Sequence, residues 1–159
     1  IVLVVGAGAF ALLGPKGGIK PSSQPSQTGQ EAKQTLPPEE PTVVCKRFTG
    51  LEEALQQVNI ACVLDLSNKG LTSVSPEITK LTKLNDLSLK NNKLTTSPPE
   101  ILQIKTLMIL DLSENRITGI PNEIKTLENL QTLNLSGNPL SETEKANVKK
   151  LLPNVTITF

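Results

Sequence analysis

The chain has 159 residues, with 16 Lys and Arg against 15 Asp and Glu and a net charge of +1. That balance gives no electrostatic case for nucleic acid; with no Trp, no Tyr and only 3 Phe, base stacking on a sheet is excluded as well. The absence of His removes Ser–His and Cys–His nucleophile systems, and two cysteines alone do not make a zinc site.

Residues 1–13 carry no charge and are apolar apart from Gly6 and Gly8. A spanning helix needs about 20 apolar residues, and a signal-peptide core about 7–15. Residue 1 is Ile, so an upstream piece is expected. Two readings stay open: a truncated hydrophobic membrane anchor, or a cleaved signal segment with Ala7-Gly8-Ala9 as a weak cleavage match. Lys16 and Lys20 mildly oppose export. Residues 14–44 hold Pro15, Pro21, Pro25, Pro37, Pro38 and Pro41 among Gly, Ser, Gln and Thr. They show no hydrophobic periodicity and read as a disordered linker. Anchor, linker and folded domain together predict a module outside the cytoplasm, tethered to a membrane through its N-terminal segment or secreted.

Residues 45–159 are the expected folded domain, with an N-terminal cap over 45–60. Thr49-Gly50-Leu51-Glu52 has the spacing of a capping box. Leu51, Ala54, Leu55 and Val58 recur at helical intervals, predicting an amphipathic helix near 50–58. Cys45 and Cys62 bracket it. In an exported protein such a pair suggests a disulfide staple; two buried free thiols are the alternative.

Residues 61–140 repeat. Ala61, Leu84, Leu107 and Leu130 open four segments spaced 23 residues apart, a period that means a solenoid. Within them Leu64 and Leu66, Leu87 and Leu89, Leu110 and Leu112, and Leu133 and Leu135 alternate with more polar residues. Each unit therefore opens with a short half-buried strand. The returns contain Pro76-Glu77-Ile78, Pro99-Glu100-Ile101 and Asn122-Glu123-Ile124, which read as short helical turns. The outward strand positions are Val63 and Asp65, Asp86 and Ser88, Ile109 and Asp111, and Thr132 and Asn134, with Lys90 and Glu114 just beyond.

Read in phase, the units spell LxxLxLxxNxLxxxPxxI, and this resembles the leucine-rich repeat family in its 23-residue form, as found in exported or membrane-anchored bacterial members. The resemblance covers roughly residues 50–159. It implies an α/β fold: a right-handed solenoid with a curved parallel sheet on the concave face, helical turns on the convex face and helical caps at both ends. It also implies a structural ladder of Asn92, Asn115 and Asn138, whose amides bond backbone groups of adjacent turns. The first unit departs, with Lys69 in that place and Asn68 before it, and reads as an atypical terminal repeat.

The C-terminal cap is expected over 141–159. Ser141-Glu142-Thr143-Glu144 spells a second capping box, and Val148, Leu151 and Leu152 form the apolar stripe behind it. The alternation of Val155-Thr156-Ile157-Thr158-Phe159 predicts a last strand. If Leu152 opens that strand, Asn154 and Thr156 face outward, and the array is complete at about four repeats plus caps. The triplets Asn134-Leu135-Ser136 and Asn154-Val155-Thr156 fall on predicted strands, so they read as chance rather than glycosylation sites.

The expected function is a monomeric protein–protein interaction module, without cofactor or metal and not an enzyme. The resemblance implies binding through the concave residues Val63, Asp65, Asp86, Ser88, Ile109, Asp111, Thr132 and Asn134. Five strands about 4.8 Å apart give a strip roughly 20–25 Å wide, which suits a small transient interface. Two other readings stay open: a surface spacer without a specific ligand, and the recognition part of a larger receptor or enzyme.

Overall fold

A computed structural model describes residues 44–159. The readings for the leader and for the linker up to residue 43 lie outside the described residues.

Six short strands make one sheet in chain order: β1 (Lys46–Phe48), β2 (Ala61–Asp65), β3 (Asp86–Ser88), β4 (Ile109–Asp111), β5 (Thr132–Asn134) and β6 (Thr156–Thr158). Every neighbouring pair is parallel. From β2 to β5 the register follows the sequence period: Val63, Asp86, Ile109 and Thr132 are successive partners, as are Asp65, Ser88, Asp111 and Asn134. Parallel strands need a long crossover, and 3-10 turns at Pro76–Lys80, Ile101–Gln103 and Asn122–Thr126 lie in those returns. Ser75 accepts from the Glu77 N–H and Pro76 stands at the first helical position, where a missing N–H costs nothing.

One hydrophobic core runs the length of the array. Leu64, Leu87, Leu110 and Leu133 are each 0% exposed and stack behind the sheet. Ile78, Ile101 and Ile124 close it from the turns. No unit could bury these side chains alone, so stability comes from stacking.

The ends differ from expectation in three ways. First, the N-terminal helix is shorter, α1 (Leu51–Leu55), and begins one residue too late for the proposed capping box. Gly50 occupies the N-cap and supplies no side-chain bond. Turns carry the chain from Gln56 to β2, with the Ala61 N–H donating to the Gln57 carbonyl at 3.1 Å. Second, β1 has no counterpart among the expected strands: Phe48, 1% exposed, anchors it in the core, and its register on β2 is irregular between Lys46 and Arg47. Third, Thr132 pairs with Thr156 and Asn134 with Thr158. The outward residues of β6 are therefore Thr156 and Thr158, not Asn154 and Thr156. Leu152 follows α2 (Glu142–Leu151) as its C-cap residue and does not open the strand. At the start of α2, Ser141 accepts from the Glu144 N–H at 3.1 Å. The Glu144 carboxylate accepts instead from the Ile120 N–H at 3.1 Å, tying α2 to the third unit.

Candidate functional site: the open face of the sheet

From β2 to β5, alternation sends Leu64, Leu87, Leu110 and Leu133 inward and the residues on either side of each outward. Val63, Asp65, Asp86, Ser88, Asp111, Thr132 and Asn134 are half-buried on the open face, while Ile109 is exposed. The register sets Asp86 directly beside Ile109, with Ser88 beside Asp111.

The three carboxylates of this face differ in their partners. Asp65 binds the Arg47 guanidinium at 2.6 Å. It also accepts from the Ser67 hydroxyl and, at 3.1 Å, from the Ser67 N–H. The Ser67 hydroxyl is the main reason that its carboxyl lies below the ordinary value; burial opposes the shift, and the Ser67 N–H and Arg47 add to it. Asp111 Oδ1 accepts from the Ser113 N–H at 2.8 Å, and Asn134 makes the same bond to Ser136 one unit on. Asp86 is pushed above its ordinary value, first by burial and then by Asp65 and Asp111, against the pull of Arg47.

The apolar part of the face lies at the strand entrances. Among the described residues the large exposed hydrophobics are Val44 at 63%, Ile109 at 42% and Met108 at 36%. Met108 also lines a groove of about 330 Å³ with Cys62, Lys83, Asn85, Thr106 and Gln131. Cys45 borders the same groove and is bonded to Cys62, with the Cα atoms 5.2 Å apart. The bond fastens the chain just before β1 to β2. Met108 and Arg47 are absent from the residues that alternation and resemblance point to. Met108 has a signal in the sequence, because its counterparts Asn85 and Gln131 in the same repeat position are polar. Arg47 has none, since its place depends on β1 joining the sheet.

Beyond the strands the chain bends sharply. Asn68, Asn91, Glu114 and Gly137 stand in one repeat position and all have positive φ: 60°, 52°, 55° and 71°. Asn91 donates to Asn68 at 2.7 Å. The following asparagines fill the bend from inside. Asn92 accepts from the Leu71 N–H at 2.9 Å and donates to the Leu66 and Leu89 carbonyls. Asn115 accepts from the Leu94 N–H and donates to the Leu89 and Leu112 carbonyls. Asn138 accepts from the Ile117 N–H and donates to the Leu112 and Leu135 carbonyls. Buried backbone groups need such partners.

Residues 102–140 and 83–103 match two models, each described as leucine-rich repeat. No curated protein gives a match. Among solved structures, a leucine-rich repeat protein of Leptospira interrogans is 40% identical, with a TM-score of 0.59 over 72% of this chain and 29% of that one. An internalin of Listeria monocytogenes is similar in fold alone, at 18% identity and a TM-score of 0.54 over 71% of this chain and 32% of that one. The chain thus spans under a third of either protein's length. A parallel sheet of 23-residue units, closed by an asparagine at each bend, is a leucine-rich repeat solenoid. The chain belongs to the leucine-rich repeat family.

Proposed function

We propose that this domain is a protein-interaction module that binds a protein partner through the concave, open face of its sheet, over Val63, Asp65, Asp86, Ser88, Ile109, Asp111, Thr132 and Asn134. The observation that carries the reading is Ile109: a large apolar side chain, 42% exposed, on a central strand and adjoining exposed Met108. Adjoining apolar side chains kept in water at the middle of a mostly polar face support a contact site there. The test is capture from native extract by the parent and by an Ile109→Ala, Asp111→Asn double variant. Asn is preferable to Ala at 111, because Asn134 shows that it preserves the bond to the backbone two residues on. Capture should fall to background while the thermal melt stays within a few degrees of the parent. A folded variant that captures everything the parent does overturns this face as the binding site.

The domain is proposed to work outside the cytoplasm. The apolar run of residues 1–13 and the Pro-rich linker support this, as does the Cys45–Cys62 bond, since disulfides persist in oxidising compartments. No helix among the described residues is long and apolar enough to cross a membrane; the tether proposed here is the apolar run of residues 1–13. Protein recovered from its native compartment should yield a Cys45–Cys62 linked peptide on non-reducing mass analysis. The loop-entropy argument makes such a bond worth about 3 kcal/mol. Two alkylatable thiols would remove this support, and repeats protected inside the cytoplasm in a protease-accessibility assay would overturn the placement.

A further inference from the structure

The partner's chemistry can be read from the same face, on the reading that this face binds protein. The face changes character along its strands: Met108 and Ile109 present apolar surface at the entrance of β4, and Asp111 follows two residues further on. Asp86 stands beside Ile109 on β3. Asp65 is already held by Arg47 and Ser67, and one oxygen of Asp111 holds the Ser113 N–H. Asp86 has no hydrogen-bond donor among the described residues; only burial and neighbouring charges act on it. A partly desolvated carboxylate without a donor, near enough to Asp65 and Asp111 to be repelled by both, is the group that a partner's cation relieves most.

We propose that this face seats an extended segment of a partner protein in which an apolar side chain lies two residues from an arginine or lysine. In an extended chain, side chains two apart share one face about 6.6–7 Å from each other. That is the separation of Ile109 from Asp111 along β4, and Asp86 lies one strand spacing from Ile109. With the apolar side chain on Met108 and Ile109, the cation comes between Asp86 and Asp111. An acidic segment in the same place is repelled, and a cation without the apolar neighbour leaves Ile109 in water.

Three fluorescein-labelled synthetic peptides test this by anisotropy against the whole 159-residue chain. The first carries Arg-Ser-Leu-Ser-Arg between glycines, the second has Glu for both Arg, and the third has Ala for Leu. The parent should bind the first about tenfold or more tighter than either of the others, with affinity falling as salt is raised. Asp86→Asn, checked for folding by its melt, should lose about tenfold on the first peptide and narrow its preference over the Glu peptide. Equal binding of all three peptides, or of none, overturns the proposal. So does a parent preference that survives in Asp86→Asn and Asp111→Asn, because the cation is then read elsewhere. Those results leave the capture experiment with Ile109→Ala, Asp111→Asn intact, and it alone decides whether the face binds protein.

Discussion

Burial pushes the Asp86 carboxyl above its ordinary value, and the like charges of Asp65 and Asp111 add to this while Arg47 opposes it. A raised folded-state value means that the fold favours the protonated form. The stabilisation is full below the unfolded-state value and is lost as pH rises through the folded one. At pH 7 the charged Asp86 therefore works against folding. Asp86→Asn is expected to raise the melting temperature at pH 7, with a gain that shrinks towards zero as the solution is acidified below the carboxylate range. A gain of constant size down to pH 3, or a loss at pH 7, would contradict this account. Asp65 has the opposite sign: its lowered value contributes stability above the unfolded value and loses it as pH falls through the folded one. Glu114 is the residue out of place in its column, holding φ 55° where its counterparts are Asn, Asn and Gly. Its carboxylate rests against Gly137, where an added Cβ would come within 2.8 Å of it. Left-handed backbone is costly for Glu and tolerated by Asn. Glu114→Asn should stabilise by about 0.5–1 kcal/mol in a urea titration, and no gain would mean that the carboxylate contact offsets the strain.

Among the repeating elements, the second unit carries a polar residue in an apolar slot. Ser97 occupies the repeat position held by Val74 and Ile120, is 3% exposed, and its hydroxyl has no partner among the described residues. Ser97→Val should gain about 1 kcal/mol, from the removal of an unpaired buried group and the filling of its place. A loss in denaturant titration would show that the turn has closed too tightly around the smaller side chain. The elements inside the array are legible in the sequence because each leucine serves one purpose in every unit, so four copies average out local noise. The terminal elements lack that support. β1 is three residues long and is held by Phe48, the Cys45–Cys62 bond and the pairing with β2, and its own residues lie ahead of the first periodic segment. The last strand misleads by register, because Leu152 imitates a strand-opening leucine while belonging to the end of α2. The candidate site is half legible. Alternation gives the outward residues, but Asp65 also has a donor in Arg47, whose position only the folded sheet reveals.

At the level of the molecule, each unit touches its neighbours and little else, so a defect at the centre is felt on both sides. Leu110 is fully buried between Leu87 and Leu133, and Leu110→Ala is expected to cost about 2–5 kcal/mol. The unfolding transition should move as one. A second transition, with one half melting at the parent's midpoint, would show that the units are uncoupled there. The asparagines also give the array a direction of inheritance. The Asn92 oxygen completes the bend of the unit before its own, at Leu71; Asn115 does so at Leu94, and Asn138 at Ile117. Every one of these bends is thus finished by its successor. A gene copying one 23-residue unit into the interior hands each bend a finisher of the same kind, whereas erasing a unit from the C-terminal side orphans the bend that came before it. By that bond the array tolerates a unit gained or lost in its interior, and not one lost at its C-terminal side.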